Sequence, residues 1–205
     1  MKWLWSGGGE NSLRFRGVLT CPAHKGTPAG IVAGRPWAAD NEKYTRGKFD
    51  PARFFCWLDT MRPYRDQCLF VAVPDEVGNA PQTIALWRYW VQDERLRDWP
   101  LAFVAQDGME NYPLPPADTY AALFVGGSTE WKEGAAAISV IKRAQTAGRH
   151  IHIGRVNWGR RYRLFRQING SEEFTCDGTR QRFEGVERTS AAWKEIQQSL
   201  VLPLW

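Results

Sequence analysis

Residues 150–180 read HIHIGRVNWGRRYRLFRQINGSEEFTCDGTR, and the fold turns on how they are parsed. The apolar run over 150–156 has the continuous character of a strand covered on both faces. Residues 158–168 have helical character and 173–176 look like another short strand, so the stretch reads as strand, helix, strand. Asp177 then falls where the second strand gives way to a turn, Cys176-Asp177-Gly178. In α/β folds that edge is where chemistry tends to sit.

The same pattern extends over the whole chain. Apolar runs recur at 2–5, 17–21, 30–33, 68–73, 101–105 and 122–125, most of them ending in Gly, Pro, Asn or Asp. With the two runs above they make eight strand candidates. Helical character returns at 51–62, 80–97 and 131–147, where Asp50-Pro51 is a fair cap and first turn and Gly148 a fair stop. Strands alternating with helices point to a parallel sheet, and the count favours a closed (β/α)8 barrel over an open doubly wound sheet. A chain of 205 residues suits one domain with a real core. Beyond Gly7-Gly8-Gly9 there is no linker, repeat or low-complexity segment, so a single α/β barrel domain over 1–205 is expected.

The formal charge of +5 is compatible with a polyanionic partner without demanding one. Its placement says more. Arg155, Arg160, Arg161, Arg163 and Arg166 occur with no acid among them, whereas a solvated helix face usually alternates in sign. That block favours a phosphate-contacting surface. Among the 11 tryptophans, Trp131, Trp158 and Trp193 lie in polar contexts where a stacking surface is an alternative to core packing.

The four cysteines form no CxxC pair and no metal-ligand cluster with the three histidines, so no structural zinc is expected. His150 and His152 point the same way along one strand, but without a placed third ligand, packing is the stronger reading than a metal. The opening MKWLWSGGGENS is too short and too soon polar for a signal peptide, and no apolar stretch approaches a membrane span. A cytoplasmic protein with reduced thiols and no membrane partner is therefore expected.

On the barrel reading, the residues that follow each strand form one rim. They include Asp40 with Tyr44, Asp75, Gln106, Gly126-Gly127, Gly154-Arg155 and Asp177. Like charges gathered in a partly desolvated cleft raise one another's pKa and cost stability. Any single aspartate at such a position can be a helix cap or turn residue. The set together points to function. No GxxxxGK[ST], GxGxxG, GxSxG or HExxH motif occurs.

In the order of these motifs over roughly residues 30–180 the chain resembles the tRNA-guanine transglycosylase superfamily, and in compactness its phage-type branch that inserts 7-deazaguanines into DNA. The resemblance implies that Asp40 in DNEKY is the general acid and base and that Tyr44, four residues on, stacks on the base. It likewise implies that Asp75 in PDE, Gln106 in FVAQDG and the Gly126-Gly127 pair in LFVGGS read the base edge. Ile153-Gly154 in HIGRVN covers the other face, and Asp177 in FTCDGT is the nucleophile; the choice of Asp177 over Glu173 rests on the CDGT spacing. The zinc subdomain of the tRNA enzymes has no counterpart here, which favours DNA over tRNA as the polymer.

The chemistry suits these residue types. Exchanging a purine base breaks a glycosidic bond through an oxocarbenium-like transition state, and a carboxylate can trap the sugar covalently. A second carboxyl of raised pKa then protonates the departing guanine and deprotonates the incoming base, such as preQ0. No metal or organic cofactor is required. The target nucleotide must be flipped out or unpaired, with the arginines of 155–166 holding the backbone. The short chain suggests that a homodimer or an accessory protein completes the polymer-binding surface. Two rival readings remain open: a base-excising N-glycoside hydrolase, and a non-catalytic nucleic-acid-binding protein on a degenerate barrel.

Overall fold

A computed structural model describes residues 2–7, 9–157, 159–169 and 174–178. Its strands are short apolar runs: β1 (Lys2–Ser6), β2 (Gly17–Thr20), β3 (Trp37–Ala39), β4 (Cys68–Ala72), β5 (Leu101–Ala105), β6 (Ala122–Val125), β7 (His150–Ile153) and β8 (Thr175–Cys176). Each pairs in parallel with its neighbours in chain order, and β8 pairs with β1, so the sheet is a closed barrel. Parallel neighbours require a crossover between them, and the connections carry helical segments. These are α1 (Ala29–Val32), α2 (Lys43–Arg46), α3 (Pro51–Thr60), α4 (Ala80–Trp90), α5 (Thr129–Glu133), α6 (Ala135–Thr146) and α7 (Gly159–Asn169).

Alternation along the strands divides their side chains between two clusters. Leu4, Leu19, Ala38, Phe70, Ala102 and Ala122 make a small one, with Phe124 against it. Three alanines facing Phe70, Phe124 and two leucines let small and large side chains fill a narrow space. The alternate positions, among them Val18, Trp37, Val71, Phe103, Leu123, Ile151 and Ile153, join a larger cluster with Phe54 and Leu58 of α3, Trp87 of α4, Val140 and Ile141 of α6, and Phe165 of α7. Six tryptophans, residues 3, 37, 87, 90, 99 and 131, are packed in that larger cluster. Trp131, whose polar context suggested a stacking surface, is therefore a core residue; its indole N–H donates to Glu110 Oε2 at 2.8 Å. Trp158 and Trp193 lie outside the described residues.

Seven of the eight expected strands lie where the apolar runs fall. The exception is 30–33, which folds as the single helical turn α1, while the third strand is Trp37–Ala39. Tertiary contacts decide this: the Gly30 amide donates to Ser12 Oγ at 2.7 Å, and a Cβ at Gly30 would lie 2.8 Å from the Ser12 carbonyl oxygen. Three further boundaries shift. The helix expected over 80–97 ends at Trp90, and Asp93 caps a separate turn, Glu94–Leu96. The helix expected over 131–147 is two, divided at an extended Gly134. The strand expected over 150–156 stops at Ile153, because Arg155 takes a left-handed backbone conformation (φ 59°). Among the described residues, no helix is long and apolar enough to cross a membrane.

Phe70 is wholly buried in the small cluster and meets the rings of Phe124 and His152. Its replacement by alanine leaves a cavity that the alanines around it cannot fill. Phe70→Ala is expected to lower unfolding stability by about 3–5 kcal/mol, measured by urea denaturation; a loss below about 1 kcal/mol would contradict the packing described.

Candidate functional site

Parallel strands that close in chain order deliver the residues after each strand to one rim. Asp40 follows β3 directly, and its amide donates to the Thr20 carbonyl of β2 at 2.8 Å. Asp177 follows β8 directly, its amide donating to the Ile153 carbonyl of β7 at 3.3 Å. The closing β1–β8 pair brings Ser6 to it as well, and Ser6 Oγ donates to Asp177 Oδ2 at 3.2 Å. Asp177 Oδ1 accepts from the Arg155 amide at 2.9 Å and faces His152 Nε2 at 3.3 Å.

The carboxylates of this rim are stabilised in different ways. Burial pushes the Asp177 carboxyl up, but the His152 hydrogen bond and charge, the Arg155 amide and Lys132 outweigh it and hold the group below its ordinary value. Among the described residues Asp40 has one donor, the Glu42 amide at 2.7 Å. Burial, together with the negative charges of Asp177, Asp75 and Glu42, pushes its carboxyl up to about 7. Two acids on one rim thus separate, one remaining ionised and one titrating near neutrality.

Asp75 is the third. Burial raises it, against the opposing pull of Asn41, Gln106 and Lys43. Its Oδ1 accepts from Asn41 Nδ2 at 2.9 Å and its Oδ2 from Gln106 Nε2 at 2.5 Å. Gln106 Oε1 in turn accepts from the Gly127 amide at 2.8 Å and the Gly78 amide at 3.0 Å. Asp75, Gln106 and Gly127 therefore stand together, bonded to one another. Both glycines of the pair are sterically required: a Cβ on Gly126 would lie 2.6 Å from Gln106 Nε2, and Gly127 has φ 71° with Trp131 and Asp107 closing on it. Gly178 is likewise enclosed, by Asn157, Trp3 and the Val156 carbonyl, which accounts for glycine after Asp177.

Tyr44 is 60% exposed, and the Arg155 guanidinium lies over its ring at 4.2 Å. Arg155 thus reaches from the end of β7 to the segment after β3. Its left-handed backbone is uncommon for a residue with a side chain, and such conformations cluster at functional sites. Ile153 is not at the rim: its side chain is fully buried in the larger cluster. Gly154 is buried beside it, and a Cβ there would meet the Phe124 ring at 2.7 Å. Of the arginine block, Arg161 is engaged internally, with Glu133 at 2.6 Å, Thr129 and the Arg155 carbonyl. Arg163 and Arg166 are exposed on α7; the side chain of Arg160, like Glu173 and Thr179, lies outside the described residues.

Comparison with known proteins finds no match: no family model, no curated protein and no solved structure corresponds to this chain. Function has to be argued from the rim itself. Several of its members carry no sequence signal. Lys132, on α5, is 1% exposed and donates to the Gly154 carbonyl at 2.7 Å; burial and the neighbouring Arg155 push it down to about 7. Ser6, Asn41 and Thr175 are ordinary small polar residues in sequence, and only the tertiary structure makes them partners of Asp177, Asp75 and the two histidines respectively. His152 was legible as sharing a face with His150, but not as the neighbour of Asp177. Among the described residues, no group of three or more His, Cys, Asp or Glu side chains is arranged to hold a metal.

Because folding raises the Asp40 pKa, this group favours the folded state at low pH and costs stability as pH rises through about 7. Asp40→Asn removes that cost. The variant is expected to gain on the wild type between pH 5 and pH 8, by up to roughly 1.4 kcal/mol per pH unit, in urea unfolding at each pH. Parallel curves would mean that Asp40 is not perturbed.

Proposed function

We propose that this protein is a base-exchange glycosyltransferase of the tRNA-guanine transglycosylase type. It replaces guanine in a nucleic acid, DNA in preference to tRNA, with a 7-deazaguanine such as preQ0. The observation that carries the reading is the divergence of two carboxyls on one rim: Asp177 held ionised by its donors, Asp40 pushed up to about 7 by burial and by neighbouring acids. A double displacement at an anomeric carbon needs that pair, a nucleophile charged at neutral pH and an acid that can give and regain a proton there. The scaffold we infer is a (β/α)8 barrel with its helices outside, supported by the separate clustering of alternate strand residues with helices.

The residues divide the work as follows. Asp177 Oδ2, whose donor is Ser6, attacks the anomeric carbon. The electron pair of the sugar–base bond leaves with guanine, which takes a proton from Asp40. The two donors on Oδ1 then suit the second step, because they stabilise the carboxylate that departs when the incoming base attacks. That base gives its proton to Asp40, and both carboxyls return to their starting state. No cofactor enters this scheme.

Asp75, Gln106 and the Gly127 amide recognise the base edge by exchanging their bonds to one another for bonds to the base. A base without matching groups would leave them unpaired. Tyr44 supplies a stacking face, and Arg155 must leave it when the ring arrives. Ile153, deep in the core, plays no direct part, so Arg155 or the Gly154 backbone is the better candidate for the other wall. The polymer's phosphates fall to Arg163 and Arg166.

Purified protein is incubated with guanine-containing duplex DNA or tRNA and with radiolabelled guanine or preQ0, and label in the polymer is counted. Incorporation into DNA is expected, abolished by Asp177→Ala and lowered about 10²- to 10⁴-fold by Asp40→Asn. Asp177→Asn should bind DNA without turnover. Free base released without incorporation would point to the hydrolase, and binding unaffected by any aspartate variant, without either product, to a non-catalytic binder.

A further inference from the structure

Below Asp177, among the apolar side chains of the small cluster, runs a file of polar groups. His150 Nε2 lies 2.8 Å from Thr175 Oγ1, the same Oγ1 lies 2.9 Å from His152 Nδ1, and His152 Nε2 lies 3.3 Å from Asp177 Oδ1. His152 is wholly buried, its ring 5.0 Å from Phe70 and 4.5 Å from Phe124. Apolar side chains fill the neighbouring positions, so hydrophobic packing alone does not call for two imidazoles and a hydroxyl here.

We propose that His150, Thr175 and His152 form a directed hydrogen-bond chain that positions Asp177 and keeps a donor on its Oδ1. The direction follows from counting hydrogens. A threonine hydroxyl has one to give, so the two histidines cannot both accept from it. If His150 donates to Thr175, the hydroxyl donates to His152 Nδ1, and the hydrogen of a neutral His152 must sit on Nε2, facing the carboxylate. The reverse direction would leave a neutral His152 with a bare Nε2 lone pair against an ionised Asp177, which is repulsive. A doubly protonated His152 also presents Nε2–H. Every arrangement compatible with an ionised Asp177 therefore points a hydrogen at Oδ1.

This inference rests on Asp177 as nucleophile and adds what determines its orientation. With Oδ1 held by His152 and by the Arg155 amide, the carboxylate cannot rotate freely, and Oδ2 is the oxygen presented to the mouth. His152 is thus a positioning residue. Thr175 completes the chain by donating to Nδ1 of the tautomer that Asp177 requires, as an outer partner supports an imidazole in other sites.

The test has two readouts. In protein labelled with ¹⁵N-histidine, long-range ¹H–¹⁵N correlation, assigned by the loss of signal in His152→Gln, is expected to place a hydrogen on Nε2 of His152. In Thr175→Val, which keeps the shape and removes the hydroxyl, Nε2–H is expected to persist opposite Asp177, while the Nδ1 signal shifts because that nitrogen loses its hydrogen-bond donor. In guanine exchange on DNA, Thr175→Val and His152→Phe should lower kcat about tenfold or more with KM little changed, and His152→Gln, which retains an N–H donor, should recover part of that loss. A neutral His152 with its hydrogen on Nδ1 in the wild type, or a folded Thr175→Val with an unchanged Nδ1 signal and kcat, would overturn the proposal. If the wild type exchanges no base at all, the activity fails, and the tautomer of the wild type together with the Nδ1 signal of Thr175→Val still decides whether the chain exists.

Discussion

The closing of β8 on β1 is the constraint on which the site depends. Among the described residues two pairs make it, Lys2 with Thr175 and Trp3 with Cys176. Through that short ladder Ser6, near the start of the chain, reaches Asp177, which also pairs through its neighbours with β7. An open sheet of the same strands would leave Asp177 on an edge, far from β1 and without its Oδ2 donor. Closure also makes the interior narrow, which is why alanine recurs at Ala38, Ala102 and Ala122 and why the aromatic rings there are few.

A rim that gathers Asp40, Asp75 and Asp177 has to manage their repulsion, and each is managed separately. Asp177 is surrounded by hydrogen-bond donors and stays ionised. Asp75 is held by two side-chain amides. Asp40 has one donor among the described residues, and burial, with the neighbouring negative charges added to it, pushes it to about 7. The unequal distribution of donors is therefore what separates the pKa values, more than any difference in burial. Lys132, itself pushed down to about 7, holds Asp177 lower still when it is charged, reinforcing the asymmetry.

Arg155 joins several of these features. Its amide is a donor to Asp177, its carbonyl accepts from Arg161, and its guanidinium covers Tyr44. The left-handed backbone at this residue makes the combination geometrically accessible, and the buried Lys132 fixes the Gly154 carbonyl immediately before it. The same residue thus covers the exposed Tyr44 ring with its side chain and holds the Asp177 carboxylate with its backbone.

The amino-acid sequence by itself determined the strand count, the parallel arrangement and the positions of the rim aspartates, because continuous apolar runs ending in turn residues are a local signal of buried strands. It misplaced the third strand, since the choice between a helical turn at 30–33 and a strand at Trp37–Ala39 depends on Ser12, far away in the chain. It could mark Asp40 and Asp177 as acids, but not which one stays ionised. That depends on His152, the Arg155 amide and Lys132, whose approach to Asp177 is set by the packed barrel. Spacing along a chain records which side of a strand a residue occupies; only the packed tertiary structure decides how many donors reach a given oxygen, and that number fixes the charge.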